Sequence, residues 1–391
     1  MKIFGIISEY NPLHNGHIYQ IKRIKKEYPE AYIIALTSGS FVQRGEPSFI
    51  SKHFKARQAV ENGVDLFIEM PTIISLQSAN YFSFYSVKLL NKLNILTNLS
   101  FGVENIDKED LNNLVTFEIE NQGIIDLEIK NLMNEGYSYK KAYEQTYAKL
   151  GLSNDSLYSL PNNTLAIQYV KAIKLLESNI DIFPVKRNDK GYHSCYVPGD
   201  TFQSATAIRQ AYSAGKSIDR YVPFYSLNHL HEINQVTLDD YSDLFFYQAI
   251  VKGASPNEIA GYENGMLNLL TKNYNNSLSE MIETSHNKRY SRSRLRRFVL
   301  NYIMGIKNSD IKSLEEINYI RPLRFNSRGA LLLKLIKDNS DVKIINKLTD
   351  LSELDDINKR IVSFDVKAFK LYNINNQEKS VLDFTDNPFM E

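Results

Sequence analysis

Short apolar runs alternate with segments of helical spacing over the first two hundred residues. Residues 3–7 are an unbroken apolar run, the pattern of a strand buried on both faces. Residues 16–26 place Ile18, Ile21 and Ile24 on neighbouring turns and predict a helix. A second strand is predicted over 31–37, and a helix over 51–62 with Gly63 as its cap. Residues 65–69 predict a third strand ended by Pro71, and 77–92 a helix. Residues 96–101 predict a fourth strand ended by Gly102, and 180–183 a fifth ended by Pro184. Strands separated by helix-length connections imply an α/β fold with a parallel sheet and right-handed crossovers. Ligands of such sheets bind beyond the carboxyl ends of the strands, where the strand order reverses.

Residues 108–151 break this rhythm. They are charged and helical, with Leu111, Leu114, Val115 and Ile119 roughly on one face, and predict a helical insertion spanning about 106–175. After about residue 214 the pattern predicts helices, over 239–251, 266–273, 293–305 and 328–337. A boundary near 214–225 would divide a sheet unit, 1–215, from a mainly α-helical unit, 216–391.

The 391 residues are 43% hydrophobic and 23% charged, which is ordinary for a globular chain with more than one core. A formal net charge of +1 gives no global field to attract nucleic acid, so any basic site must be local. Cys195 is the one cysteine, so neither an internal disulfide nor a cysteine zinc site is expected. The apolar run at the N-terminus stops at Glu9, too soon for a signal peptide. No run of about 18 apolar residues predicts a membrane span, and the cytoplasm is the default location.

The first strand leads into Asn11-Pro12-Leu13-His14-Asn15-Gly16-His17. Asn11 and Pro12 turn the chain, and Gly16 admits close approach of a ligand. The helix that begins there favours an anion through its free N–H groups and dipole. His14 and His17 are three apart, so both imidazoles can serve one side of the first turn and donate to phosphate oxygens. A histidine pair can also cap a helix or bind a metal, but no third ligand stands at metalloprotease spacing and no metal site is expected.

A second helix start, Ser204-Ala205-Thr206-Ala207-Ile208-Arg209, offers two hydroxyls and a guanidinium, which suits a triphosphate tail. Residues 38–47 form a loop with Gly39, Gly45 and Pro47 at the ligand edge, followed by Lys52 and Arg57, which could equally be solvated surface charges. Gly102, Asn162 and Arg187 fall beside predicted strand ends or helix starts. Gly102 could admit a base or ribose and Arg187 meet a phosphate, while Asn162 could be only a cap. Finally, Lys288, Arg289, Arg292, Arg294, Arg296 and Arg297 lie within ten residues that contain no acid. On a helix, Arg289, Arg292 and Arg296 would share a face, and Tyr290 could stack on a base. The cluster is read as a phosphate-contacting patch; a solvated face, or one paired with acids elsewhere, is the alternative.

The His14 to His17 turn resembles the HIGH signature of the nucleotidylyltransferase superfamily, and Ser204 to Arg209 is similar to its Ser-Ser-Thr-x-x-Arg segment, with Ala205 at the middle serine. Gly5 to His17 together, then Gly39 to Pro47, Asp65 to Pro71, Leu160 to Asn163, Lys186-Arg187 with Tyr192-His193-Ser194, and Ser204 to Arg209, resemble the bacterial tRNA(Met) cytidine acetate ligases. The match is looser at Tyr319 to Phe325 and Gly329, where Pro322 and Arg324 stand in place of the usual Val and Gly. The resemblance implies a Rossmann-like parallel sheet of the HIGH type. It implies ATP contacts at Ile7, Ser8, Glu9, Tyr10, Asn11, Pro12, Leu13, His14, Asn15, Gly16, His17, Ile18, Tyr19 and Gln20, then at Gly102, Asn162 and Arg187. Ser204, Thr206 and Arg209 would hold the triphosphate, magnesium would accompany ATP, and His14 and His17 would be catalytic. The implied reaction joins acetate to ATP as acetyl-adenylate and passes the acetyl group to the wobble cytidine of elongator tRNA(Met). A small-molecule adenylyltransferase of cofactor synthesis, or a non-catalytic tRNA-binding protein, would share parts of this pattern.

Overall fold

The computed structural model describes residues 1–151, 161–186, 202–223, 236–273, 277–375, 383–385 and 388–390. In chain order its strands are β1 (Ile3–Ser8), β2 (Tyr32–Ser38), β3 (Phe41–Val42), β4 (Glu46–Pro47), β5 (Leu66–Met70), β6 (Asn98–Val103), β7 (Asp181–Lys186), β8 (Tyr319–Phe325) and β9 (Lys343–Ile344). β3 and β4 make a small hairpin of their own. The others form one sheet in the order β7-β6-β1-β2-β5-β8-β9.

The five strands from β7 to β5 run parallel. Both faces of the central strands are buried: Ile34, Leu36 and Ile68 pack on one side, and Phe4, Ile6, Ile33, Ala35 and Phe67 on the other. That two-sided burial is why these strands read as continuous apolar runs. The chain passes from β1 outward to β2 and β5, then returns to β6 on the other side of β1. The order therefore reverses between β1 and β6, and a crevice opens beyond their carboxyl ends.

Several strands differ from expectation, β6 among them, which runs on through Gly102 to Val103. β7 continues through Pro184, because it lies at the sheet edge, where a missing N–H costs no ladder bond. β8 falls where only helices are expected and pairs antiparallel with β5. Its sequence hides it: Pro322 interrupts the run beside a shift in register, and Arg321 occupies a buried position.

Arg321 belongs to a buried charge cluster that ties the late chain to the sheet. The Lys52 ammonium sits 2.9 and 3.0 Å from the two oxygens of Glu69, on β5, and 2.6 Å from Asp383. Arg321 reaches Glu69 at 3.1 Å and Asp383 at 2.9 Å. Lys52 is thus a core residue, whereas Arg57 pairs with Glu61 at the surface. Gly329 opens the Ser327–Asn339 helix against the same sheet. An added Cβ there would stand 2.0 Å from the Asp65 carbonyl oxygen, so only glycine fits.

The predicted insertion consists of helices Lys108–Glu120, Gln122–Asn134 and Tyr139–Lys149, followed by Pro161–Leu175. It buries Leu111, Leu114 and Val115 as expected. Among the described residues no helix is long and apolar enough to cross a membrane.

Candidate active site

A cavity of about 630 Å³ opens beyond the carboxyl end of β1, beside the point where the strand order reverses. A smaller lobe of about 140 Å³ shares Ile7, Ser8, His14, His17, Asn162, Leu165 and Tyr169 with it. The volume suits a small-molecule ligand of nucleotide size.

His14 is the N-cap of the helix Asn15–Glu27. Its Nδ1 accepts from the Gly16 N–H at 3.1 Å, and the Nδ1 of His17 accepts from the His14 N–H at 3.2 Å. Each ring therefore carries its proton on Nε2, as a donor. The rings stack with centroids 3.8 Å apart, and Tyr10 meets His17 edge-on at 4.8 Å. Tyr10 is held at φ 43°, a left-handed conformation that strains a non-glycine residue. That strain lies at the turn from which both imidazoles project.

The second helix start faces the same cavity. Ser204, Thr206 and Arg209 all line it. Ser204 caps the helix Ala205–Ser213, its hydroxyl accepting from the Ala207 N–H at 3.2 Å. Arg209 donates to the Asn11 carbonyl at 2.7 Å and lies 3.6 Å from Glu46. Burial lowers the basicity of its guanidinium, against the pull of Glu46 and Glu9.

Of the segment from Ile7 to Gln20, Ile7, Ser8, Glu9, Tyr10, Asn11, His14, Gly16, His17, Tyr19 and Gln20 line the two lobes. The other four, Pro12 among them, border neither lobe. Leu13 and Ile18 pack into the core under the sheet, and Asn15 donates to the Arg220 carbonyl at 2.7 Å. Asn11 contributes by holding the neighbouring loop, its side-chain oxygen accepting from the Phe49 N–H at 2.6 Å. Gly102 and Asn162 reach the smaller lobe. Gly102 lies within β6, which ends one residue later. Asn162 donates to the Glu104 carboxylate. Arg187 lies outside the described residues, as do Tyr192, His193, Ser194 and Cys195.

The lining also includes residues that sequence reasoning missed. Asn80, Tyr143, Glu144, Gln168 and Tyr169 come from helices whose patterns report only amphipathicity. Lys55 is buried beneath the site and donates to the carbonyls of Glu9, Ser38 and Gly39 at 3.1, 2.6 and 2.9 Å. Burial pushes its ammonium down to about 7.

Residues 1–386 match the family model described as HIGH Nucleotidyl Transferase. A tRNA(Met) cytidine acetate ligase of Caldanaerobacter subterraneus subsp. tengcongensis is 33% identical over 98% of both chains. One of Clostridium perfringens (strain SM101 / Type A) is 34% identical over 96% of both. The chain belongs to the tRNA(Met) cytidine acetate ligase family. A crystal structure of the Thermotoga maritima TmcAL bound with alpha-thio ATP superposes with a TM-score of 0.88, at 26% identity, over 100% of each chain.

The arginine cluster of this tRNA(Met) cytidine acetate ligase family member is not one basic face. Its helix runs Arg292–Met304, so Arg289 precedes it. Arg289 and Arg294 pair with Glu263, and Arg292 with Glu283. Tyr290 is 5% exposed and sandwiched by Arg289 and Arg294, each 5.3 Å away, so its ring presents no platform for a base. Arg296 turns to Glu46, and Arg297 donates to the Gln43 carbonyl at 3.0 Å. These last two brace the β3–β4 hairpin against the cavity. Gly45, at φ 75°, lets them close in, since a Cβ there would lie 2.6 Å from the Arg297 nitrogen. Lys288, Arg289 and Arg292 remain exposed.

Proposed function

We propose that this protein activates acetate with ATP and transfers the acetyl group to the wobble cytidine of elongator tRNA(Met), giving N4-acetylcytidine. The observation that carries the reading is the shared cavity. Two Nε2–H imidazoles on one helix start and a hydroxyl-plus-guanidinium helix start on another converge on a space of nucleotide size at the topological switch of the sheet.

In the first half-reaction an acetate oxygen attacks the α-phosphorus and pyrophosphate departs. Negative charge grows on the phosphate oxygens, where His14 and His17 donate. Ser204, Thr206 and Arg209 hold the outgoing phosphates, Arg209 through a planar fork suited to phosphate oxygens. Gly102 and Asn162 line the nucleoside end. Positioning and charge stabilisation suffice, and no covalent enzyme intermediate is needed. Magnesium would accompany the triphosphate and offset its charge; among the described residues no group of three or more His, Cys, Asp or Glu side chains is placed to hold it. Residues 1–215 supply this chemistry. The exposed Lys288, Arg289 and Arg292 of the later chain, with Arg294 behind them, contact tRNA phosphates, and the reaction runs in the cytoplasm.

Acetate-dependent ATP–pyrophosphate exchange tests the reading, followed by detection of N4-acetylcytidine in tRNA(Met). Exchange with acetate alone and acetylation with tRNA are expected. Exchange only with a phosphorylated acceptor would point to a small-molecule adenylyltransferase, and none under any condition to a binding protein.

A further inference from the structure

The cytosine amine is a weak nucleophile, and its attack on acetyl-adenylate must shed a proton. We propose that the Glu9 carboxylate is the general base of this acetyl-transfer step. The inference rests on the acetate-ligase reading above and names a role in its second half.

Glu9 directly follows β1, at the mouth of the switch crevice, and lines the large lobe but not the small one. It therefore borders the same lobe as His14 and His17, whereas Gly102 and Phe202 border only the smaller one. The large lobe is where an acceptor meeting the acetylated phosphate would enter. One carboxylate oxygen, Oε1, accepts from the Gln43 N–H at 2.6 Å, which fixes the group's orientation. Its second oxygen is the one available to take a proton.

The surrounding groups cannot do so. The Nδ1 lone pairs of both histidines already accept backbone N–H groups, and their Nε2 atoms are donors. Arg44 and Arg209 have no acceptor lone pair. Lys55 borders neither lobe, its nitrogen lying among three carbonyls beneath them. Tyr169, from the Pro161–Leu175 helix, stays protonated because burial raises its hydroxyl far above the ordinary value. Glu46 is engaged by Arg296 and Arg209.

Burial raises the Glu9 carboxyl above its usual range, opposed by the Gln43 N–H, Lys55, Arg44 and Arg209. A base closer to neutrality accepts a proton more readily at working pH. In the step, the cytosine N4 lone pair forms a C–N bond to the acetyl carbon and its proton passes to Glu9. The carbonyl then re-forms and breaks the bond to the phosphate oxygen, releasing AMP, and Glu9 returns the proton to water.

Glu9→Gln tests this, because the amide oxygen can still accept from Gln43 and keep the loop in place. Single-turnover transfer from synthetic acetyl-adenylate to tRNA(Met) isolates the second step. The expected loss is about 10²–10⁴-fold, at least tenfold larger than any loss in acetate-dependent exchange. The wild-type transfer rate should climb with pH above the ordinary carboxylate range and then level off. The variant should lack that limb, with an unchanged melting temperature. Transfer within about threefold of wild type with the limb intact would overturn the proposal. So would loss confined to Glu144→Gln, the other carboxylate lining the cavity. Wild-type protein that catalyses no acetate-dependent exchange would instead overturn the acetate-ligase reading itself.

Discussion

Arg292 and Arg296 lie one turn apart and look alike in sequence, yet removing them should have different consequences. Arg296 holds Glu46, and the other oxygen of Glu46 lies 3.6 Å from Arg209. In Arg296→Ala, Glu46 is left with Arg209 alone. Opposite charges at that distance attract by about 4–5 kcal/mol at an effective dielectric of about 20. Arg209 is 20% and Glu46 27% exposed, so water screens much of this. A residue of about 1 kcal/mol is expected, as for well-formed but solvated pairs. Glu46 then competes with the triphosphate for Arg209, and KM for ATP should rise about fivefold, since 1.4 kcal/mol is tenfold. Arg292→Ala should raise KM for tRNA by more than KM for ATP. Adding Glu46→Gln to Arg296→Ala removes the competitor and should return KM for ATP to near its starting value. Exchange kinetics at varied ATP provide the assay. An unchanged KM in Arg296→Ala, or no recovery in the double variant, would refute the proposed competition for Arg209.

Three further outcomes follow from the geometry. His17→Ala should lower ATP–pyrophosphate exchange by about 10²–10³-fold, the usual loss of one transition-state donor, and a near-normal rate would remove His17 from its role. Lys52→Met leaves Glu69 with Arg321, and Asp383 with Arg321 and the His53 ring, and should cost about 3–5 kcal/mol, read as a lower urea midpoint, with partial recovery on adding Glu69→Gln. Lys55 has its folded pKa pushed down to about 7, so the unfolded chain binds more protons above that pH. The stability of wild type relative to Lys55→Met should therefore grow from about pH 7 to 9, and a flat difference by chemical denaturation would contradict the burial argument.

Much of the parallel part of the sheet was legible because its physics is local. β1, β2 and β5 announce themselves as apolar runs, since both faces of the sheet are covered. The turn from Asn11 to His17 is legible because it sets a glycine and two histidines at a helix start beyond a strand end, where free N–H groups and imidazoles can donate to one anion. What escaped depends on distant partners. β8 carries Pro322 and the buried Arg321, and only the presence of Glu69 and Asp383 makes that position tolerable. The arginine cluster reads as one patch because Glu46, Glu263 and Glu283, which neutralise it, are remote in sequence or on another element. Tyr143 and Tyr169 sit on helices whose spacing reports a buried face but not the cavity they border. Glu9 stood inside the matched segment, but its role needs the tautomers of two histidines, which no sequence prints.

A crystal structure with a non-hydrolysable ATP analogue tests the central geometry most directly. The phosphates should lie between the Nε2 atoms of His14 and His17 and the helix start at Ser204, Thr206 and Arg209, with the nucleoside toward Gly102. A nucleotide seated elsewhere, or one whose phosphates touch only one of the two helix starts, would contradict the account.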